Sequence, residues 1–438
     1  MIKGYGLLAS TTLIGASIAL GSLPRSAGAQ TAPAPTISAQ MGGARAWVTH
    51  YSVLDSMPKM TREEALAHPP IPRPAAGISE QQYRARKARA AVAPFDTNLN
   101  DPSGPPPVPA PRSSAETPGA SRSFAGGDET CSGLTPADMG VAAGVNVVLQ
   151  LVNSCVYVFN GSGVLSAGYP KSFNAFLGLP ASAFTFDPRA IYDAANQRFI
   201  VSIDQFDTTN NIGYIWVSVS QTRNPRGAWF SYRMNFGSGQ SGQAPDFPTL
   251  GQDSVGIYVG ANVFGASGGK FTSFLQNQVL LLPKAAMEAG AGFSYRFFTN
   301  LSFGGVLVDS TQAANTAFTM DHPRAEFMVS SRNINFGGGQ CSSSPCNGLV
   351  VWALSNQLDT TTFFPELSGI NVATAHNYML APQAHQKGGP NTVDTGDTRT
   401  NGEVTYSHGT LYAALNTKNN AGTGSVLWFQ LPNDQSAI

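Results

Sequence analysis

The segment FDPRAIYDAANQRFIVSIDQFDTTNNIGYIWVSVSQTRNPRGAWF, Phe186–Phe230, holds the pattern on which the fold turns. Asp187-Pro-Arg189 leads into two short strands, Arg198 to Asp204 and Gly213 to Ser220, rich in the β-branched and aromatic residues that suit a pleated, buried surface. Asn224-Pro-Arg-Gly227 follows. Its Asn, Pro and Gly stand at the first, second and fourth positions of a type I turn, where Pro presets φ and Gly admits the exit geometry. Trp229 then opens a third strand, Trp229 to Phe236, from which it is expected to pack between units. At Asp246-Phe-Pro248 a similar unit begins.

The same order of elements recurs along the chain. Inner-strand candidates are Val147 to Val152, Arg198 to Asp204, Ile257 to Val263, Phe327 to Asn333 and Leu411 to Thr417. Each is followed by a second apolar strand: Cys155 to Asn160, Gly213 to Ser220, Gln278 to Pro283, Gly348 to Leu354 and Ser425 to Leu431. A further strand is clearest at Trp229 to Phe236 and Phe293 to Thr299. Units of roughly 50 to 80 residues match propeller blades with variable loops. The expected fold over residues 134–438 is therefore all-β, a β-propeller of about five blades.

Asp187-Pro-Arg-Ala-Ile-Tyr-Asp193, the strand Arg198 to Asp204, Ser220-Gln-Thr-Arg-Asn-Pro-Arg-Gly-Ala-Trp229 and Asp246-Phe-Pro-Thr-Leu-Gly251 together resemble a family of exported bacterial β-propeller proteins, most of them without assigned activity. The resemblance runs from about Val141 to Leu431. The Pro-Gly turn is also similar in position to the Asp-box of sialidase-type propellers, but Arg223 and Pro225 stand where Ser and Asp belong. Members of the family tend to continue past a segment such as Val426-Leu-Trp-Phe-Gln-Leu431 with further blades. The expected ring thus either closes with about five blades or is incomplete, with an open edge that invites pairing with another chain.

Composition agrees with strands and turns. Of 438 residues, 42% are hydrophobic and only 12% charged, and 46 are Gly, a mix that fits helical folds poorly. Formal net charge is zero, with 14 Lys/Arg against 19 Asp/Glu from Gly126 to Ile438. That mildly acidic balance argues against a nucleic-acid partner, which calls for a basic stripe. Lys3, the apolar run Leu7 to Leu20 and Ala27-Gly28-Ala29 read as a signal peptide over residues 1–29. The run falls short of the ~20 residues a membrane span requires, so no integral membrane segment is expected after its removal, and the protein is expected to be periplasmic or extracellular. Cys131, Cys155, Cys341 and Cys346 then read as disulfides, most simply Cys131 with Cys155 and Cys341 with Cys346.

Residues 30–95 read as a short helical segment, with a capping pattern at Thr61-Arg-Glu-Glu64 and a second helix from Ser79 to Val92. Arg84, Arg86, Lys87 and Arg89 on that helix suit a solvated face first, and otherwise an acidic partner or membrane lipid headgroups. Residues 96–133, with Gly104-Pro-Pro-Pro-Val-Pro-Ala-Pro-Arg112, have the composition of a disordered linker.

For chemistry, one recurrence stands out. Asp187-Pro-Arg189, Asp246-Phe-Pro248, Asp321-His-Pro-Arg324 and Asp397-Thr-Arg399 each precede an inner-strand candidate, where a propeller approaches its central channel. Asp187, Arg189, Asp246, Asp321, Arg324, Asp397 and Arg399 are therefore the candidate ligand-binding residues. Convergent arginines could clamp a carboxylate or sulfate, and paired Asp could act in glycoside cleavage. The plainer reading is that each Asp caps a turn and pairs with its own blade's Arg. No cofactor is expected. Asp394-Thr-Gly-Asp397 and Asp204-Gln-Phe-Asp207 offer clustered oxygens for Ca²⁺, without EF-hand spacing. Histidine ligand spacings, a nucleophile elbow and a phosphate loop are all missing. The leading expectation is a module that binds an extracellular ligand or glycan at its channel mouth. The alternatives are a polysaccharide-acting glycosidase or lyase, and a surface scaffold.

Overall fold

In a computed structural model of the chain, residues 37–61, 63, 79–96, 123–134, 136–236, 241–316, 323–332, 340–357, 365–386, 388–389 and 392–432 are described. The expected signal peptide, most of the helix expected after Thr61 and the Pro-rich run Gly104 to Arg112 lie outside these residues.

The protein is an all-β propeller built from antiparallel meanders. The first blade runs Met139–Gly144, Val147–Val152, Cys155–Asn160 and Lys171–Ser172. The second runs Phe184–Asp193, Arg198–Asp207, Ile212–Ser220 and Ala228–Asn235. Gln243–Gln252, Gly256–Ser267, Lys270–Pro283 and Phe293–Phe303 form the third. Gln312–Asn315, Glu326–Ser331, Cys346–Ser355 and Glu366–Tyr378 form the fourth. The fifth runs Val404–Ser407, Thr410–Lys418 and Gly424–Pro432.

Strand positions differ from expectation by one. The strands read as innermost are the second of each meander. The true innermost strands touch their counterparts in neighbouring blades: Gln252 pairs in parallel with Asn315, and Ala314 and Asn315 with Val404 and Thr405. The physical reason lies in the inner edge. An innermost strand is laddered along its length on one side and meets the next blade on the other at only one or two residues, so it tolerates Pro188, Pro245 and Pro248 and the breaks beside them, and it reads as a turn. The second strand is sandwiched on both sides and carries the apolar run.

Alternation along these second strands assembles the core between blades. On Arg198–Asp207, Ile200 faces a cluster with Val217, Ile257, Val259 and Leu280 of the second and third blades. Its neighbours Phe199, Val201 and Ile203 face the opposite way, onto Leu149, Val158 and Phe173 of the first. Further clusters join the third blade to the fourth through Tyr258, Leu281, Met328 and Trp352, and the fourth to the fifth through Phe327, Val329, Leu411 and Leu415. Trp229 is fully buried in the core of the first two blades, edge-on to Phe176, and its indole N–H donates to the Pro225 carbonyl at 2.7 Å. The turn closes through the Gly227 amide onto the Asn224 carbonyl.

The N-terminal segment contributes strands that the sequence does not announce. Ile37–Ala46 pairs with Phe293–Phe303, and His50–Val53 with Ala228–Ser231, so each covers the outer edge of a blade. Helix Glu80–Val92 falls within the expected range, with a capping box between Ser79 and Gln82. Its basic run is not simply a solvated face: Lys87 is buried, 3.3 Å from the Asp394 carboxylate. Disulfides join Cys131 to Cys155 and Cys341 to Cys346. Among the described residues no helix is long and apolar enough to cross a membrane.

Replacing Trp229 by Ala should destabilise the protein by about 3–5 kcal/mol, the usual range for a large aromatic removed from a packed core. Urea unfolding of the two proteins measures this, and a loss under 1 kcal/mol (on the order of a surface substitution) would place Trp229 outside the structural role.

Candidate functional site

The innermost strands bring acidic and basic side chains to one place. In the second blade the ladder breaks between Phe186 and Arg189, with Asp187 at φ 48°; in the third it breaks between Asp246 and Thr249, with Phe247 at φ 58°. A positive φ is costly for a residue with a side chain, and such strain tends to collect at functional positions. In both breaks the strained residue directly precedes a proline. Asp187 therefore corresponds to Phe247, and Asp246 to Phe186: the two aspartates are not copies of one blade position.

They nonetheless converge. Oxygens of Asp187, Asp204 and Asp246 all lie within 4.8 Å of one another, and all three residues are buried. Asp187 is fixed from both sides: its amide donates to Asn153 Oδ1 of the first blade at 2.8 Å, and its carboxylate accepts the Phe247 amide of the third at 3.3 Å. Among the described residues this is the one group of three metal-capable side chains. It could supply three of the six to eight oxygens that Ca²⁺ takes.

Two arginines flank the group. Arg189 donates from Nε to the Pro248 carbonyl at 2.7 Å, and its guanidinium lies 5.3 Å from the centre of the Phe247 ring. The Arg399 guanidinium lies 4.8 Å from the same ring and makes a two-pronged pair with Asp397, from Nε at 2.7 Å and Nη2 at 2.6 Å. Asp309 completes the cluster. Burial, then the charge of Asp397, push its carboxyl up to about 7, with Arg399 pulling the other way. Burial also pulls Asp397 upward, but the charge and hydrogen bonds of Arg399 outweigh it and hold Asp397 below the usual carboxylate range.

Of the residues singled out from sequence, the structure thus gathers Asp187, Arg189, Asp246, Asp397 and Arg399. Arg324 is exposed at the entry to Glu326–Ser331, and Asp321 lies outside the described residues. The fourth blade sends Asp309 instead, three residues before its true innermost strand. Counting that strand one too late is what pointed to Asp321. The sequence offers Asp204 only as a Ca²⁺ ligand beside Asp207, whereas Asp207 caps its own turn through the amides of Thr209 and Asn210. Asp394 and Asp397 each have a cationic partner, Lys87 and Arg399. A separate cavity of about 730 Å³ between the fourth and fifth blades is lined by apolar residues such as Ile370, Leu427 and Trp428 and by no carboxylate.

No protein-family model matches the sequence, and no curated protein is similar to it. Among solved structures, similarity is found to an exo-1,5-α-L-arabinanase from a bovine ruminal metagenomic library, at 10% identity over 68% of this chain and 94% of that one, with a TM-score of 0.34. A GH43 endo-arabinanase from Bacillus licheniformis matches at 14% identity over 68% and 94%, TM-score 0.31. A sialidase from Trypanosoma rangeli matches at 13% over 66% and 43%, TM-score 0.36. At these scores no residue role is transferred.

The raised Asp309 carboxyl makes a pH prediction. The native state keeps a proton that the unfolded chain gives up near its ordinary value of about 4, so this group's stabilisation is complete below that pH and is lost as pH rises through about 7. In Asp309→Asn the fall in urea midpoint between pH 5 and pH 8 should be smaller than in the parent protein. An equal fall in both would mean that Asp309 does not titrate in this range.

Proposed function

We propose that the protein acts on a glycan at the mouth formed by its innermost strands, cleaving a glycosidic bond. The observation that carries this reading is the convergence of Asp187, Asp204 and Asp246 within 4.8 Å. Like charges so close resist simultaneous ionisation, which favours a state where one carboxyl holds a proton beside another that does not. Glycoside hydrolysis needs that division: an acid to protonate the leaving oxygen and a carboxylate to act as base or nucleophile. Asp204 is wholly buried, whereas Asp187 and Asp246 keep 5% and 6% of their surface. We assign the reacting pair to Asp187 and Asp246, and to Asp204 the task of setting their protonation.

A second reading, binding without chemistry, draws on the arginines alone, as a clamp for a carboxylate or sulfate. Charge weighs against it. Asp187, Asp204, Asp246, Asp309 and Asp397 outnumber the cations near them, Arg189, Arg399 and, on the helix, Arg86 and Lys87, and Arg399 and Lys87 are already paired with Asp397 and Asp394.

The full chain is the material to test, because Ile37–Ala46 and His50–Val53 belong to the blades. Incubated with a panel of plant, algal and bacterial polysaccharides, it should release new reducing ends, without unsaturated sugars, from at least one. Asp187→Asn and Asp246→Asn should each cut that rate by about 100-fold or more. Absence of product across the panel, or full activity in both variants, overturns the assignment.

A further inference from the structure

Helix Glu80–Val92 lies against the same cluster and is held there by polar contacts rather than an apolar stripe. Among residues 81–92 only Lys87 and Ala90 are buried, and Val92 is exposed. Lys87 Nζ donates to the carbonyl of Ala381 at 3.0 Å, to Thr395 Oγ1 at 2.7 Å and to the Gly396 carbonyl, and pairs with Asp394. From the other side Lys418 Nζ donates to the carbonyls of Ala90 and Ala93, at 2.6 and 2.8 Å. Those carbonyls belong to the last turn, which has no partners within the helix. The Tyr83 hydroxyl donates to Asp394 at 3.1 Å.

The place of attachment matters. Gly396, gripped by Lys87, directly precedes Asp397, and Asp397 holds Arg399 over Phe247. The charge of Asp397 also reaches Tyr83, Arg86 and Lys87, so three successive positions on one helix face lie near the cluster. A segment with little buried apolar surface opens at a small fraction of the global unfolding free energy. Two lysines bonded mainly to backbone carbonyls make a latch that can release without disturbing the cores between blades.

We propose that helix Glu80–Val92 is a detachable cover on the Arg399 side of the mouth, latched by Lys87 and Lys418, and that it lifts to admit a ligand. Its consequence for ligand entry rests on the reading of the mouth as the glycan site; the opening itself does not, and neither readout below requires a substrate.

Hydrogen exchange of the full chain, read by mass spectrometry, gives the first test. Peptides covering the helix should exchange about 100-fold faster than the strand segment Ile257 to Val263, and protection equal to that strand overturns the proposal. Modification of arginines by p-hydroxyphenylglyoxal, read at each residue, gives the second. In Lys87→Met/Lys418→Met, Arg399 should react about threefold faster or more than in the parent chain, while Arg198, on the second blade, keeps its rate. An unchanged Arg399 rate in a variant whose helix exchanges freely overturns the cover. If the double variant fails to fold, exchange in the parent chain still decides whether the helix opens by itself.

Discussion

Everything at the centre of this protein depends on the inner edge of its blades. An innermost strand is laddered along its length on one side only, and on its other side few backbone groups pair with the next blade, Gln252 with Asn315 and Ala314 and Asn315 with Val404 and Thr405. Buried backbone donors and acceptors must find partners. They find them in side chains of the next blade. Arg189 reaches the Pro248 carbonyl, Thr249 the Thr311 carbonyl, and Thr400 the carbonyls of Ser310 and Val329. Gln312 returns the contact to Thr400, and Asn153 accepts the Asp187 amide. The apolar cores therefore lie between blades, and the axis is polar by necessity.

That necessity accounts for polarity but not for charge. Thr249, Thr400, Gln312 and Asn153 meet the backbone's demand with neutral groups. Gathering five aspartates against Arg189, Arg399 and Lys87 in buried surroundings costs stability, because desolvated charges are only partly offset by their partners. Asp309 shows the strain directly, keeping its proton to a pH at which an exposed carboxyl has long lost it. A fold needing only to close its inner edge gains nothing from this excess. Where local rules are broken without a structural return, function is the usual cause.

Much of the architecture is legible in the sequence because it rests on local pattern. The Asn224 to Gly227 turn, the burial of Trp229 and the short central strands follow from composition and spacing, and of the three possible connectivities the two disulfides take the simplest. Other features depend on partners distant in sequence. Met41-Gly-Gly43 carries no strand signal of its own; it is extended because Phe297 and its neighbours offer a free edge more than 250 residues later. Lys87 reads as one more cation on a basic helix, and only its contact with Ala381 and Thr395 reveals that it is buried. The innermost strands hide behind their prolines, and that single displacement of the strand count carried the fourth-blade prediction from Asp309 to Asp321.

The offset between the second and third blades is more informative than the repeat itself. Had each blade carried Asp at one template position, their carboxylates would be spread around the axis at the separation of the blades, each bonded within its own unit. Instead the residue before proline is Asp187 in one blade and Phe247 in the next, and Asp246 stands one position earlier. One residue along a strand turns a side chain to the other face. That shift lets Asp246 approach Asp187 and Asp204, while the Phe247 ring occupies the template position and receives both guanidiniums. A repeated fold supplies a symmetric polar axis, and the departure from the repeat makes one side of that axis chemically distinct. The strained φ values at Asp187 and Phe247 mark where the departure is held in place.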